Sequence, residues 1–128
     1  LGVDRRKDPR ILHTAYNDAA GVTAEFNLNV LARFNRELDG VFDLEGFAHR
    51  AFFNDAQSRI EMHLESLRDQ VACVTGSSVE FARGETIHTE NSYKYRPEAF
   101  DRLLADAGFT HRRAYLDPAG DFAVFHAR

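Results

Sequence analysis

Arg59-Ile60-Glu61-Met62-His63-Leu64-Glu65-Ser66 decides the fold class, because its apolar residues fall on every second position. Ile60, Met62 and Leu64 alternate with Glu61, His63 and Glu65, the period of a strand with one dry and one wet face. Just before it, residues 47–54 are rich in aromatics, and Asn54-Asp55-Ala56-Gln57-Ser58 has the composition of a turn. Just after it, residues 70–75 and 78–82 repeat the strand signal around Gly76, so 47–82 is expected to form an antiparallel meander. Further out the period changes to that of helices. Asp8 can cap and Pro9 suits a first helical position, with Ile11, Leu12, Ala15, Tyr16 and Ala19 following at helical spacing up to Gly21. Thr23 is placed to cap a second helix whose apolar stripe is Phe26, Val30, Leu31, Phe34 and Leu38, ending at Gly40. Asn27 and Asn29 sit early in that helix although Asn is a poor helix former. Beyond the strands, Pro97 opens a helix with Phe100, Leu103, Leu104 and Ala107 on one face and Gly108 at its end. Thr110–Leu116 and Asp121–Ala127 then read as two strands around Asp117-Pro118-Ala119-Gly120. Helices, strands, then helix and hairpin make an α+β chain, or the remnant of an α/β sheet without its early strands.

The chain has 128 residues, the size of one domain with a real core. Sixteen Lys and Arg against twenty Asp and Glu give a net charge of −4, which argues against sequence-independent nucleic-acid binding. An apolar fraction of 44% beside 28% charged residues is that of a folded domain, not of a disordered chain. Cys73 is the single cysteine, so neither an internal disulfide nor a CxxC motif can form, as expected in a reducing compartment. No apolar run approaches the roughly 20 residues of a membrane span, and no basic-then-apolar leader is present, so the expected setting is cytoplasmic, without a membrane. Met62 is the only methionine, and Leu1-Gly2-Val3-Asp4 reads as the tail of a buried strand; the expectation is a processed chain or a piece of a longer protein.

Gly84-Glu85-Thr86-Ile87-His88-Thr89-Glu90-Asn91-Ser92-Tyr93-Lys94-Tyr95 is the densest polar stretch and lies between a strand and a helix, where loops present functional groups. If this part is extended, Glu90 and Ser92 point the same way. A carboxylate beside a hydroxyl is a receptor for a ligand with N–H donors; the alternative is a turn with a solvated Glu90.

Four stretches carry a resemblance to a known family: Ile87–Tyr95, Ala15-Tyr16-Asn17-Asp18-Ala19-Ala20-Gly21-Val22-Thr23-Ala24, Phe26-Asn27-Leu28-Asn29 and Arg59-Ile60-Glu61-Met62. Together they resemble the C-terminal part of the histidine-specific, S-adenosylmethionine-dependent Nα-methyltransferases of ergothioneine biosynthesis, in that family's order and over nearly the whole chain. The resemblance implies an amino-acid-binding insert of two helices plus antiparallel strands, followed by the closing helix and β-hairpin of a doubly wound methyltransferase sheet. Residues 1–7 would then end a core strand, 8–95 would form the substrate-binding domain, and 96–128 would be the closing helix and strand pair. Asp117-Pro118-Ala119-Gly120-Asp121-Phe122 resembles the turn before the last strand. The glycine-rich methyl-donor loop has no counterpart here, so the S-adenosylmethionine site is expected largely outside these residues.

The resemblance further implies substrate-binding roles. Glu90 and Ser92 would hold the histidine imidazole, Tyr16 the substrate carboxylate, and Met62 would line the ring pocket. Thr23 and Asn27 are weaker candidates. Tyr16 and Met62 also suit plain core packing, and Thr23 suits a cap with no ligand. The implied reaction is direct transfer of a methyl group from the sulfonium to the neutral α-amine, repeated to trimethylation.

Three alternatives remain beside it. His49, His63 and His88 with Glu90 could hold zinc or iron, but no HxH or HExxH pair occurs, and no metal is expected. A non-catalytic amino-acid-binding or dimerising module would pair or swap elements through open sheet edges. A methyltransferase for another aromatic amino acid is the third.

Overall fold

A computed structural model describes residues 1–128, with three α-helices and eight strands. In chain order these are β1 Gly2–Asp4, α1 Pro9–Tyr16, α2 Val22–Glu37, β2 Phe47–Asn54, β3 Arg59–Ser66, β4 Gln70–Val74, β5 Ser77–Phe81, β6 Thr86–Tyr93, α3 Pro97–Asp106, β7 Arg112–Leu116 and β8 Phe122–Ala127. The sheets have strand orders β1-β8-β7, β2-β3-β6 and β4-β5. The chain divides into two compact units, one of Leu1–Leu12, Phe53–Ile60 and Ser92–Arg128, the other of His13–Phe52 and Glu61–Asn91.

In the first unit, β8 pairs antiparallel with both β1 and β7, so the first strand of the chain lies beside the last. Ala123 and Phe125 alternate toward a core with Val3 and Leu104, against which Phe100 and Tyr95 pack. Phe122, Val124 and Tyr115 occupy the other face and stay exposed. The α3 helix starts at Pro97 as expected, and Gly108, at φ 90°, follows its end. Leu103 points outward at 50% exposure, so only Leu104 and Phe100 of its expected stripe reach the core.

The second unit is built around Leu31, Phe42, Phe47, Leu64, Ala72 and Phe81. Phe47 meets Phe81 edge-on at 5.3 Å and Phe42 at 6.2 Å, the tilted geometry that aromatic quadrupoles favour. At the start of α2, Gly21 takes φ 75°, and the cap is Asp18, not Thr23: its carboxylate accepts from the Val22 and Thr23 amides, both at 2.9 Å. Of the expected α2 stripe, Leu31 is in the core and Val30 and Phe34 pack against it, but Phe26 and Leu38 do not reach it. Asn27 and Leu31 face inward, while Phe26 is 64% exposed.

Three further expectations change. The strands do not form one meander, because β6 pairs beside β3 and β4–β5 is a separate hairpin. The chain is deflected after β3 by side-chain bonds: the Ser66 hydroxyl donates to Arg68 O at 2.7 Å, and Gln70 Nε2 donates to Ser66 Oγ at 2.6 Å and Gly46 O at 2.9 Å. The stretch around Glu90, placed between a strand and a helix, is itself the strand β6. And the second face of β3 is not wet, since Glu61 is 7% exposed and the His63 ring stacks on Phe52 at 5.3 Å and on His88 at 4.4 Å. A central strand has neighbours on both sides, and their rings cover it.

Candidate functional site

Strand β6 alternates half-buried Ile87 and Thr89 with exposed His88 and Glu90, so consecutive residues present opposite sides. Glu90 is exposed at the edge of a hollow of about 200 Å³, formed with Thr89 by Phe26, Asn29, Val30 and Arg33 of α2. Asn27 lies at its floor. Tyr16, Met62 and Ser92 do not line this hollow.

What stands behind Glu90 is a chain of hydrogen bonds centred on Asn27, which is 3% exposed. The Thr89 hydroxyl lies 2.6 Å from Asn27 Oδ1 and 2.9 Å from the Met62 carbonyl, both acceptors. Asn27 Nδ2 donates to the His63 carbonyl at 3.0 Å and lies 3.0 Å from His49 Nδ1. His49 Nε2 lies 2.8 Å from the Tyr16 carbonyl. A carbonyl only accepts, so Nε2 carries the proton and Nδ1 receives the Asn27 amide. Every polar atom of the Asn27 side chain is thereby satisfied, which permits an amide on the inner face of a helix. The network ties the backbone of Tyr16 and of Met62 to Thr89, the neighbour of Glu90. Tyr16 is half-buried at the end of α1, and Met62 is buried at 2% exposure on β3.

In the first unit, Ser92 Oγ accepts a hydrogen bond from Lys94 Nζ at 2.7 Å. The Lys94 side chain is wholly enclosed, and its ammonium also pairs with Asp4 Oδ2 at 2.8 Å. Asp4 Oδ1 meets Lys7 Nζ at 2.9 Å. Burial works to raise the Asp4 carboxyl, but the hydrogen bonds from Lys94 and Lys7 outweigh it and hold the group below its ordinary value. The Lys94 backbone is fixed as well, by Lys94 N donating to Ser58 O at 2.8 Å and Ser58 Oγ donating to Lys94 O at 2.7 Å.

Thr23 serves the helix start. Its hydroxyl and amide bond Asp18 and, with the Val22 amide, draw that carboxyl down to about 2.

Of the histidines considered as metal ligands, His49 is taken up by the Asn27 network. His63 and His88 lie instead with Glu61, their nearest ligand atoms within 4.8 Å of one another. The two rings stack at an interplanar angle of 14°, so their in-plane lone pairs run side by side and do not converge on one point. His63 Nε2 lies 3.4 Å from Glu61 Oε2, and burial, opposed by that contact, lowers the His63 pKa below its ordinary value. His88 Nε2 is 2.9 Å from Asn91 Oδ1.

Thr89 and Lys94 fall inside the polar stretch 84–95, but nothing in their residue type marks them out within it. The signals that exist are indirect: an asparagine at an inner helical position, and a lysine set between Tyr93 and Tyr95.

An exposed carboxylate at a hollow backed by a satisfied polar network is a candidate binding site, and comparison with known proteins gives the class of the chain. Residues 1–128 match the family model described as histidine-specific methyltransferase, SAM-dependent, and the chain belongs to that family. A histidine N-alpha-methyltransferase of Mycolicibacterium smegmatis is 48% identical over 126 residues, which are 97% of this chain and 39% of the relative. One from Mycobacterium tuberculosis is 46% identical over 126 residues, with the same coverage of 97% and 39%. Ergothioneine biosynthesis protein 1 of Neurospora crassa is 30% identical over 122 residues, 84% of this chain and 12% of the relative. The chain thus spans about two fifths of the length of the first two relatives.

S-adenosylmethionine is the methyl donor that the family name implies. The residues present do not fit it. The turn leading into α1 is Arg5-Arg6-Lys7-Asp8, cationic and without glycine, and α3 is entered through Arg96. Neither resembles the glycine-rich strand-to-helix turn that lets a backbone approach a nucleotide, and cations disfavour a sulfonium.

Proposed function

We propose that this chain supplies the substrate-holding side of an L-histidine Nα-methyltransferase of the ergothioneine pathway, which moves methyl groups from S-adenosylmethionine to the histidine α-amine. Residues 8–95 act as the substrate-binding domain, with 1–7 and 96–128 belonging to the methyltransferase sheet. The order of the compact units supports this. The unit of His13–Phe52 and Glu61–Asn91 is bracketed in sequence by segments of the other unit, as an inserted domain would be.

In this reading Glu90 accepts from a ring N–H, Ser92 meets the other ring nitrogen, Met62 lies along the ring, and the Tyr16 hydroxyl holds the substrate carboxylate. Held at both ends, the substrate offers only its amine for reaction. The observation that carries the proposal is Glu90, an exposed carboxylate at a hollow whose neighbour Thr89 is locked by Asn27. Calorimetric titration of the protein at its native length tests it. Glu90→Ala should weaken histidine roughly tenfold or more, the scale of a charge-assisted hydrogen bond, and tryptophan far less. Equal loss for both amino acids, or no loss, refutes the assignment.

The exposed apolar face of Phe122, Val124 and Tyr115 favours a second reading, a module that pairs with further protein through this sheet. Light scattering after size exclusion would support it by a dimer mass, and a monomer at high concentration would count against it.

A further inference from the structure

A hollow of about 390 Å³ in the first unit is walled by Arg5, Arg6 and Lys7, which follow β1, and by Arg96, Pro97 and Glu98 at the entry to α3. Four of these six residues are cations and one is an acid, in a chain whose net charge is −4. Small-molecule clefts of this size are mostly apolar, so a wall of cations calls for a different kind of ligand. Two of the four have carboxylate partners within the protein. Arg6 pairs with Asp55, and Lys7 Nζ lies 2.9 Å from Asp4 Oδ1. The other two do not. The Arg5 guanidinium donates to Gly120 O, a carbonyl without net charge, and its buried Nε bonds nothing. The Arg96 side chain is exposed and has neither a carboxylate nor a carbonyl partner. We propose that this hollow is a binding site for a phosphate group, carried as the free ion or as the monoester of a small metabolite.

A phosphate group carries about −1.5 to −2 near neutral pH, enough for the two arginines that lack a carboxylate. Its oxygens only accept, and planar guanidinium forks present their N–H groups in the pairs that such oxygens take up. A carboxylate brings one charge and two oxygens, and leaves half of that demand unmet. A polynucleotide needs a track of cations, which one hollow in an acidic chain does not provide. Three of the four cations are held in place by the protein itself. Arg5 N donates to Asp121 O and Arg6 N to Tyr95 O, both at 3.1 Å. Gly120, at φ 72°, lets the Arg5 guanidinium approach the backbone, since a Cβ there would lie 2.8 Å from Arg5 Nη1. The Arg6 guanidinium rests 5.5 Å from the centre of the Phe53 ring, and Lys7 is tied to Asp4. The Arg6 and Lys7 side chains are also partly buried, where their charge is less screened by water than at an open surface. Arg96 is left to close on the ligand. S-adenosylmethionine, the methyl donor that the family name implies, carries no phosphate and is not the molecule this hollow calls for. Neither Glu90 nor Ser92 takes part.

Titration of inorganic phosphate into the protein at its native length tests this, followed by calorimetry and by the shift in Tm, at constant ionic strength set with sodium chloride. The expected Kd is about 1 mM or below. The Arg96 side chain makes no capping bond to α3, so Arg96→Ala should keep the Tm measured without phosphate. It should weaken phosphate roughly fivefold or more, the scale of a charge-assisted hydrogen bond at a wet site. Arg10→Ala removes an exposed arginine that pairs with Asp8 outside the hollow, and should leave the affinity within about twofold. Neither heat nor a rise in Tm with phosphate up to about 10 mM overturns the proposal. So does an Arg96→Ala protein that binds phosphate as before, or an Arg10→Ala protein that weakens it equally, because general screening then accounts for the effect. Glycerol 3-phosphate separates the two sources: tighter binding than inorganic phosphate assigns the site to a monoester, weaker binding to the free ion, and either supports a phosphate site. Displacement of phosphate by S-adenosylhomocysteine gives the hollow to a carboxylate and overturns it.

Discussion

Replacing Asn27 by leucine removes the centre of the hydrogen-bond network while nearly conserving volume. The Thr89 hydroxyl keeps an acceptor, the Met62 carbonyl at 2.9 Å. His49 Nδ1 and the His63 carbonyl each lose a donor held at 3.0 Å. A buried acceptor left without a partner costs about 1–3 kcal/mol, so two cost about 2–6 kcal/mol. Leucine at a site only 3% exposed returns about 1.5–2 kcal/mol through apolar burial. The difference spans about 0–4.5 kcal/mol, and its midpoint, a loss of about 2 kcal/mol, is the expected value, or roughly 5–10 °C in Tm for a domain of this size. Urea denaturation followed by far-ultraviolet circular dichroism measures it, with an unchanged slope showing that the unfolded state is not the cause. Asn29→Leu, exposed on the same helix, is the control and should stay within about 0.5 kcal/mol. A loss below about 0.5 kcal/mol for Asn27→Leu would show that the network is not stabilising and that His49 and His63 find other partners.

His63 is half-buried and held neutral more strongly than in the unfolded chain, its pKa lowered from 6.5 chiefly by burial. Its contribution is therefore complete above about pH 6.5 and declines as the pH falls toward the folded-state value, because the unfolded chain takes up the proton first. Urea midpoints between pH 8 and 5 should drop more for the unsubstituted protein than for His63→Gln; parallel curves would contradict this. Asp18 titrates near 2 when folded against an ordinary 3.8, so its cap holds above pH 3.8 and is lost as the pH falls through about 2. Carboxyl-carbon NMR titration reads that value directly, and an ordinary midpoint for Asp18 would exclude the cap. Phe47→Ala removes a ring that is 4% exposed and touches Phe42 and Phe81, and should cost about 3–5 kcal/mol in chemical denaturation. A cost near 1 kcal/mol would mean that the cluster closes over the gap.

Local patterns carried much of the architecture. Pro9 and Pro97 begin helices where their missing N–H is harmless, and β3 occupies the residues whose alternation marks it. What was not legible depends on partners distant in sequence. Asn27 faces inward because His49, His63 and Thr89 satisfy it, and no helical wheel contains them. Glu61 alternates as a wet-face residue should, yet β3 is central and both its faces are covered. The hairpin β4–β5 leaves the expected meander because Ser66 and Gln70 bond the turn, a side-chain effect invisible to hydrophobic period. In the sequence, Glu90 and Ser92 stand out as a polar pair; in the structure only Glu90 borders the hollow beside α2. The hydrogen bonds from Thr89 to Asn27 and from Lys94 to Ser92 emerge only from coordinates.

The pairing of β1 with β8 joins Leu1 to Phe125, with Leu1 N donating to Phe125 O and Phe125 N to Leu1 O, both at 2.8 Å. The β1–β8 ladder can close only once Phe122–Ala127 have left the ribosome. The other compact unit needs nothing later than Asn91 and can consolidate first. Pairing between segments so far apart in sequence raises contact order, a property that goes with slower folding.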